Sequence, residues 1–431
     1  MTSMHLNLFI LGCGHHKAAW RHWHSSVERL ADIRYYEELA RLAERGRFDA
    51  VFFADGHAAG NVADGPLWTL EPLTMLAAMA RVTEHIGLIA TVSSTFYTPF
   101  HAARLLASLD HISGGRMGWN LVTSMFDAEA RNHGLEAMPS HAERYARAEE
   151  FANVVLALWD SWSDDALLRD RQGDYASAQR VRSIQHRGAH FGVEGPLTVP
   201  RSPQGHPVMF QAGASEQGRD LAARYAEAIY AVAYDLPAAQ AYYGDIQARV
   251  KAADRPKVAI MPGLVTYVGS TEEEARRKQR ELDELLPVES SRRQLSQFIG
   301  QDVSDWALDA PMPDLPPLEA FTGPKGRYAT ILRIIERERP TLRQLLGRLA
   351  AGGGHCTLVG TPERIADEMQ RWVEQGGADG FNLMPPSLPG SLEDVVDQLV
   401  PELQRRGLFR REYAGSTLRE HLGLTRPRCS R

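Results

Sequence analysis

The residues able to do chemistry gather at short polar breaks that follow apolar runs. Gly12-Cys13-Gly14-His15-His16 follows the first run, and Asp55-Gly56-His57 follows the second. Ser94 and Thr95 come after the third. Asn120, Thr123 and Ser124 close the fourth, and Gly213 and Ser215 follow the fifth. His141 and Tyr145 are four apart, so they share one face of a predicted helix near its N-terminus. A histidine titrates near neutral pH and can take or give a proton. Small residues and a hydroxyl in Ala212-Gly213-Ala214-Ser215-Glu216 precede a helix, where backbone N–H groups and the helix dipole favour a phosphate. Each residue also has a structural reading. Asp55 before glycine shapes a turn, Ser215 caps a helix, and Tyr145 packs with its hydroxyl at the rim. Their joint occurrence at run ends favours a site.

These tips need elements to hold them. Apolar runs predict strands at His5–Leu11, Phe48–Ala54, Ile86–Thr91, Met117–Val122, Pro207–Gln211, Ala228–Ala233, Val258–Val268 and Gly380–Met384. Helical patterns run from Asp32 to Arg45, Glu71 to Arg81, Pro99 to Ile112, Ala142 to Leu158, Ser215 to Tyr225, Pro237 to Ala252, Thr271 to Leu286, Thr361 to Gln375 and Leu392 to Arg406. Thr271 and Glu274 have capping-box spacing. The alternation predicts an α/β fold, a (β/α)8 barrel whose chemistry lies at the C-terminal ends of the strands. A doubly wound sheet would want a third glycine after Gly12-Cys13-Gly14, and none is there. The reading is one domain over residues 1–431 with two excursions, about 160–205 and 287–356. A hairpin of His190-Phe191 against Leu197-Thr198-Val199 is expected in the first. The second is the candidate lid.

Composition narrows the function classes. The net charge of -6 is spread along the 431 residues, and no basic run suggests a nucleic-acid footprint. Three cysteines, an odd and sparse set, argue against a disulfide framework and for the reducing cytoplasm. No apolar stretch is long enough to span a membrane, and no signal-peptide pattern opens the chain. Arg426 to Arg431 reads as a frayed end. His15, His16, His22, His24, Asp55, His57 and His101 raise a metallohydrolase reading. It is the weaker one, since adjacent His15 and His16 point apart when extended and later tips carry Ser and Gly.

The tips also suit a flavin mononucleotide. An isoalloxazine edge alternates donors and acceptors, which matches Asp55, Ser94, Thr95 and Asn120. His141, Tyr145 and Ser215 offer donors to the phosphate and ribityl oxygens.

The run Ser113-Gly114-Gly115-Arg116-Met117-Gly118-Trp119-Asn120-Leu121-Val122-Thr123-Ser124 resembles the signature of flavin-dependent monooxygenases typified by the nitrilotriacetate, dibenzothiophene-sulfone and long-chain alkane enzymes. These form a branch of the bacterial-luciferase superfamily. The resemblance extends from Asn7 to about Tyr234 and resumes from Leu358 to Pro386. It implies a two-component enzyme that uses reduced FMN from a separate NAD(P)H:flavin reductase, with O2, to oxygenate a small organic substrate. C–N or C–S oxidation is favoured, and a homodimer or homotetramer is implied by analogy. It also implies flavin contacts at Asp55, Ser94 or Thr95, Ser124, His141 with Tyr145, and Ser215. Cys13 and His16 match the spacing of a cysteine and histidine on the substrate side of the flavin, so Cys13, His15 and His16 are the catalytic candidates. Met125 departs from the histidine of the alkane enzyme. Arg21, Arg116 and Lys325 could meet an anionic substrate, but the favoured reading of each is a surface or structural charge. Two alternatives stay open: a deazaflavin F420-dependent oxidoreductase, and a non-catalytic flavin-binding protein.

Overall fold

The protein is described by a computed structural model covering residues 4–66, 70–321 and 325–429, with backbone only for Lys325 and Gly326. Nine strands make one parallel sheet: β1 His5–Phe9, β2 Ala50–Phe53, β3 Gly87–Ser93, β4 Met117–Val122, β5 Val208–Gln211, β6 Ala228–Ala231, β7 Ala259–Val268, β8 Cys356–Gly360 and β9 Gly380–Leu383. Strands β1 to β7 pair in order, β7 pairs β9, and β9 pairs β1 with His5 opposite Gly380, closing an eight-stranded barrel. The expected (β/α)8 barrel is the observed fold.

Alternation along the strands sorts the two layers of core. Phe9, Phe52, Ile89, Phe210 and Met261 fill the lumen, while Leu8, Val51, Leu88 and Trp119 face the helical ring. Leu418 and Leu422, at the short helix Leu418–His421, join the lumen cluster and plug the N-terminal end. Glycine at 87 and 118 makes room for this plug. A Cβ on Gly87 would lie 2.6 Å from Leu418 Cδ1, and one on Gly118 would lie 3.0 Å from Cδ2. Nothing in the hydrophobic pattern of this tail singled it out as a plug.

The helices that carry the site are α1 Ile33–Arg45, α2 Pro72–Met79, α3 Pro99–Ser113, α4 His141–Trp159, α5 Glu216–Tyr225, α6 Leu236–Ala252 and α7 Glu272–Glu284. Asp32, Glu71, Ser140, Ser215, Asp235 and Thr271 each accept a backbone N–H of the first turn, so the expected starts hold within a residue or two. The capping box at Thr271 does not close. The Glu274 carboxylate turns instead to Ser270 N–H and Oγ, at 2.8 and 2.6 Å.

Three expectations need correction. Cys356–Gly360, read as the end of an excursion, is a strand. β7 is ten residues long, and its second half rises past β6, so β8 takes over there: Cys356 N–H donates to Ala233 O and Cys356 lies opposite Leu264. The small hairpin lies at His186–Arg187 and Gly192–Val193, because Glu150 of α4 accepts from His190 N–H, Phe191 N–H and the His186 ring and so holds its tip. The C-terminal segment is anchored, not frayed. Arg426 pairs with Asp164, and Pro427 O accepts from Arg201 at 2.7 Å. Arg116 has the structural role favoured for it. It is 3% exposed, and its guanidinium donates to Ala80 O, Thr83 O, Thr83 Oγ1, Ile86 O and Ser113 O.

The second excursion is built of α8 Val288–Ile299, α9 Lys325–Glu338 and α10 Leu342–Ala350. Leu295, Ile299, Tyr328, Ile331 and Leu345 give it an apolar cluster of its own. Gly352-Gly353-Gly354-His355 then returns the chain to the barrel mouth through β8.

Candidate functional site

At the tips of β3 and β4, hydroxyls tie the two strands together. Ser94 donates from N–H and Oγ to Val122 O at 2.8 and 3.1 Å, and Thr95 Oγ1 donates to Thr123 O at 2.7 Å. Those hydroxyl protons are spent, which leaves Ser94 and Thr95 lone pairs to offer. Ser124 adopts a left-handed φ of 53°, donates from Oγ to Ser93 Oγ at 2.9 Å, and has its carbonyl held by Arg144. Such a backbone in a non-glycine residue is held against its own preference by these partners. Deeper in the lumen, Asn120 Nδ2 donates to Thr91 Oγ1 at 2.9 Å, and its buried Oδ1 has no partner. Asn7 and Asn382 also leave Oδ1 unpartnered there. Buried unpaired acceptors are costly and rare, so a donor from a bound molecule would relieve them.

Asp55, after β2, accepts Gly56 N–H at 2.9 Å and lies 3.2 Å from His57 Nε2. His57 Nδ1 stands 2.8 Å from His133 Nε2, and the His133 ring stacks on Phe96 with centroids 4.2 Å apart. The Asp55 carboxylate holds the His57 imidazolium above the ordinary histidine range. His133 and Glu129, which accepts His57 N–H, were missed by sequence reasoning; both come from the short helical segment after β4.

A cradle forms at the start of α5. Ser215 Oγ accepts Gly218 N–H at 3.2 Å and lies 3.4 Å from Tyr145 OH, while the His141 and Tyr145 rings lie with centroids 4.7 Å apart. Gly213 and Gly218 are in backbone contact. A Cβ on Gly213 would lie 2.7 Å from Gly218 Cα, and one on Gly218 would lie 2.9 Å from Tyr145 OH. Tyr145, His141 and Ser215 therefore converge on one helix N-terminus. Arg144 and Arg147 of α4, which the sequence did not single out, reach back to Ser124 O and Ser94 O.

The loop after β1 faces the second excursion. Cys13 is buried, and burial together with Glu28 pushes its thiol up to about 11, so it stays protonated. His15 Nε2 lies 3.0 Å from Phe9 O, and burial lowers its pKa to about 4. His16 is also buried. Its Nδ1 accepts Ala18 N–H at 3.1 Å, so the ring proton sits on Nε2, which donates to Asp283 Oδ1 at 3.1 Å. Asp283 lies on α7, and the clamp depends on Gly347, whose Cβ would lie 2.5 Å from Asp283 Oδ1. A cavity of about 320 Å³ opens between this loop, residues 61–66 and α8, lined by Cys13, His16, Trp20, Asp64 and Gln294. A larger cavity of about 660 Å³ on the outer face is lined by Arg276, Arg364 and Arg371. Those cations are already paired with Glu272 and Glu368, and the wall behind them is Thr357, Leu358 and Val359 of β8.

Phe9, Phe52, Tyr230 and His355 roof the lumen, with Phe9 edge to face against Phe52 and Tyr230, and His355 stacked on Tyr230, whose OH lies 3.2 Å from His355 Nε2. Burial lowers His355 to about 3. His15 and His355 are thus neutral in the fold but bind protons when the chain unfolds in mild acid. The folded pKa values are the lower ones, so stability is full above about pH 6.5 and falls as pH drops toward the folded values, by about 2 kcal/mol per group between pH 7 and 5. Urea titrations at the two pH values should show a weaker acid slope in His355→Phe; an unchanged slope contradicts the assignment.

Among the described residues, no group of three His, Cys, Asp or Glu side chains is arranged to hold a metal ion. No described helix is long and apolar enough to cross a membrane.

Comparison with known proteins agrees with this architecture. The family model described as "Luciferase-like monooxygenase" matches residues 9–380. The chain is 45% identical to nitrilotriacetate monooxygenase component A of Aminobacter aminovorans, over 99% of this chain and 98% of that one. It is 44% identical to N-acetyl-S-(2-succino)cysteine monooxygenase of Bacillus subtilis (strain 168), over 98% and 97%. It is 42% identical to dibenzothiophene-sulfone monooxygenase of Rhodococcus erythropolis, over 96% and 94%. Among solved structures, EDTA monooxygenase from Chelativorans sp. BNC1 superposes with a TM-score of 0.85 at 36% identity, covering 98% of this chain and 99% of that one. An F420-dependent secondary alcohol dehydrogenase, at 14% identity and a TM-score of 0.57, shares the fold alone. A barrel with polar strand tips and these full-length relatives make the chain a monooxygenase, and it belongs to the luciferase-like monooxygenase family.

Proposed function

We propose that the protein is the oxygenase of a two-component system in the cytoplasm. It receives reduced FMN from a separate NAD(P)H:flavin reductase and, with O2, oxygenates a small organic substrate at a C–N or C–S bond. A homodimer or homotetramer is the expected assembly. The observation that carries this reading is the convergence, on one barrel mouth, of a glycine-spaced helix N-terminus and an unpartnered buried acceptor at Asn120. The first suits a phosphate and the second suits a ring N–H. Ser215, Tyr145 and His141 would hold the phosphate end, and Asp55, Ser94, Thr95, Asn120 and Ser124 the ring side. Bound reduced FMN supplies the electrons that activate dioxygen, one oxygen atom going to substrate and the other leaving as water.

The chain's own residues shield and orient. The cavity beside Cys13 and His16 offers a substrate a partly enclosed chamber under α8 of the second excursion, which acts as a lid. The Cys13 thiol is a weak hydrogen-bond donor, and its raised pKa argues against a nucleophile. His16 keeps its proton on Nε2 against Asp283, so Asp283 is a positioning residue that fixes the tautomer. Asp283→Ala should lower kcat by about tenfold or more with the FMN Kd unchanged, and Asp283→Asn should restore most of it. Equal kcat in Asp283→Ala removes His16 from the reaction.

The functional test combines the protein with NADH, a flavin reductase, FMN and oxygen-18 gas. The panel is nitrilotriacetate, N-acetyl-S-(2-succino)cysteine, dibenzothiophene sulfone and dimethyl sulfide. Incorporation of one labelled atom into a product is expected. Flavin oxidation without label in any product contradicts an oxygenase. Tight binding of reduced F420 but not of reduced FMN favours the deazaflavin alternative.

A further inference from the structure

Two cations flank the barrel mouth on the side of the second excursion, and neither has a carboxylate partner. Among the described residues, Arg327 of α9 makes no hydrogen bond or ion pair, so all five of its N–H donors are unspent. Its guanidinium lies over the Phe298 ring, 5.3 Å from the centroid, an arrangement that covers one planar face and leaves the N–H edges open. Arg337, Arg343 and Arg348 of this excursion pair with Asp235, Asp309 and Glu338, while Arg293, Arg333 and Arg339 are unpaired among the described residues but exposed, and Arg327 is half-buried.

The chain makes room for that unpaired guanidinium. Gly353 and Gly354 have φ of 61° and 110°, and a Cβ on either would lie 3.0 Å from Arg327 Nη1. The neighbouring Gly352 lies against the lumen, since its Cβ would stand 2.7 Å from Val265 Cγ2 and 3.8 Å from Met384 Cε. The next residue, His355, bonds Tyr230 OH inside the mouth. The glycine loop is therefore a thin wall between Arg327 and the top of the barrel.

Lys17 approaches from the opposite loop. Its backbone N–H donates to Ala350 O just before the glycines, and its Nζ donates to Gln294 of α8. Lys17 lines the cavity that holds Cys13 and His16. Loss of water around its ammonium and the nearby Arg327 guanidinium hold it below the ordinary lysine range, against the pull of Asp64. Asp64 lines the same cavity but forms no ion pair with it.

We propose that Lys17 and Arg327 are a docking pair for a carboxylate of the substrate, so the enzyme acts on small polycarboxylates in preference to neutral sulfones and thioethers. A planar guanidinium with a free edge takes a carboxylate through paired N–H donors, and a nearby ammonium adds a point charge. The proposal names the substrate class for the oxygenase reading and rests on it.

Calorimetric titration of nitrilotriacetate into the full-length protein, with and without FMN, tests it. Arg327→Gln and Lys17→Gln should each raise the nitrilotriacetate Kd by about tenfold or more, and raising salt should weaken wild-type binding. Lys17→Arg should retain most of the affinity. The FMN Kd and the thermal midpoint should be the same in all four proteins. Unchanged nitrilotriacetate affinity in both glutamine variants overturns the pair. So does a wild-type protein that binds dibenzothiophene sulfone but no polycarboxylate. Arg327-dependent nitrilotriacetate binding in a protein that takes no flavin supports the pair and instead overturns the oxygenase reading.

Discussion

Gly213→Val should raise the Kd for reduced FMN by about a hundredfold while the barrel still folds. The valine Cβ has nowhere to go. Gly218 Cα would be 2.7 Å away and the Gln211 side-chain amide 2.5 Å away, so the first turn of α5 must shift outward. That shift moves the Ser215 hydroxyl and the N–H groups of residues 216–218 away from Tyr145 OH. Overpacking at one loop costs about 1–3 kcal/mol, which a chain of this size tolerates. Ser215→Ala is the milder companion. It removes the cap and one donor, and should weaken FMN by about tenfold with about 1 kcal/mol lost from stability. An anaerobic fluorescence titration reads both. Wild-type affinity in Gly213→Val would mean that the phosphate does not sit at this helix.

Arg116→Ala should be among the most damaging single changes to stability, at about 3–5 kcal/mol and a fall of roughly 3–6 °C in the midpoint of thermal unfolding. The guanidinium is the common partner of five acceptors that end α2 and α3 and lead into β3. Truncation leaves four carbonyls buried without donors, and each carries its own desolvation cost. Arg116→Lys should recover only part of the loss, since an ammonium has three donors and no planar fork. Nitrilotriacetate and FMN affinities in whatever fraction folds should match the wild type, because Arg116 lies at the N-terminal end of β4, away from the mouth. A midpoint within about 2 °C of the wild type would contradict this account.

The contrast between Arg116 and Arg327 marks what the sequence could tell. Strand periodicity, helix starts at Asp32, Glu71, Ser215 and Thr271, and polar tips on five strands pointed toward the barrel, and the family resemblance did most to settle that reading. The periodicity, starts and tips are local signals, readable within a window of ten residues. What stayed hidden was long-range. β8 forms only because β7 overshoots the barrel, and Leu418 plugs the lumen only because Gly87 and Gly118 leave room. Glu150 relocates a hairpin from 40 residues away. Arg116 sits inside the most family-like run and is structural, whereas Arg327 sits in a stretch where little resemblance was recognised and lies behind the glycine loop at the edge of the mouth. Asp283 and His133 likewise reach the site from elements with no motif of their own. A triple glycine at 352–354 was the one available hint of close approach in that excursion.

The most direct test is a crystal structure of the protein with FMN bound. The phosphate is expected within hydrogen-bonding distance of Ser215 Oγ and Tyr145 OH, with the ring over the lumen toward Asn120 and the side cavity by Cys13 left free for substrate. Flavin seated on the outer arginine-lined face, or anchored away from the start of α5, would contradict the site on which the proposed chemistry depends.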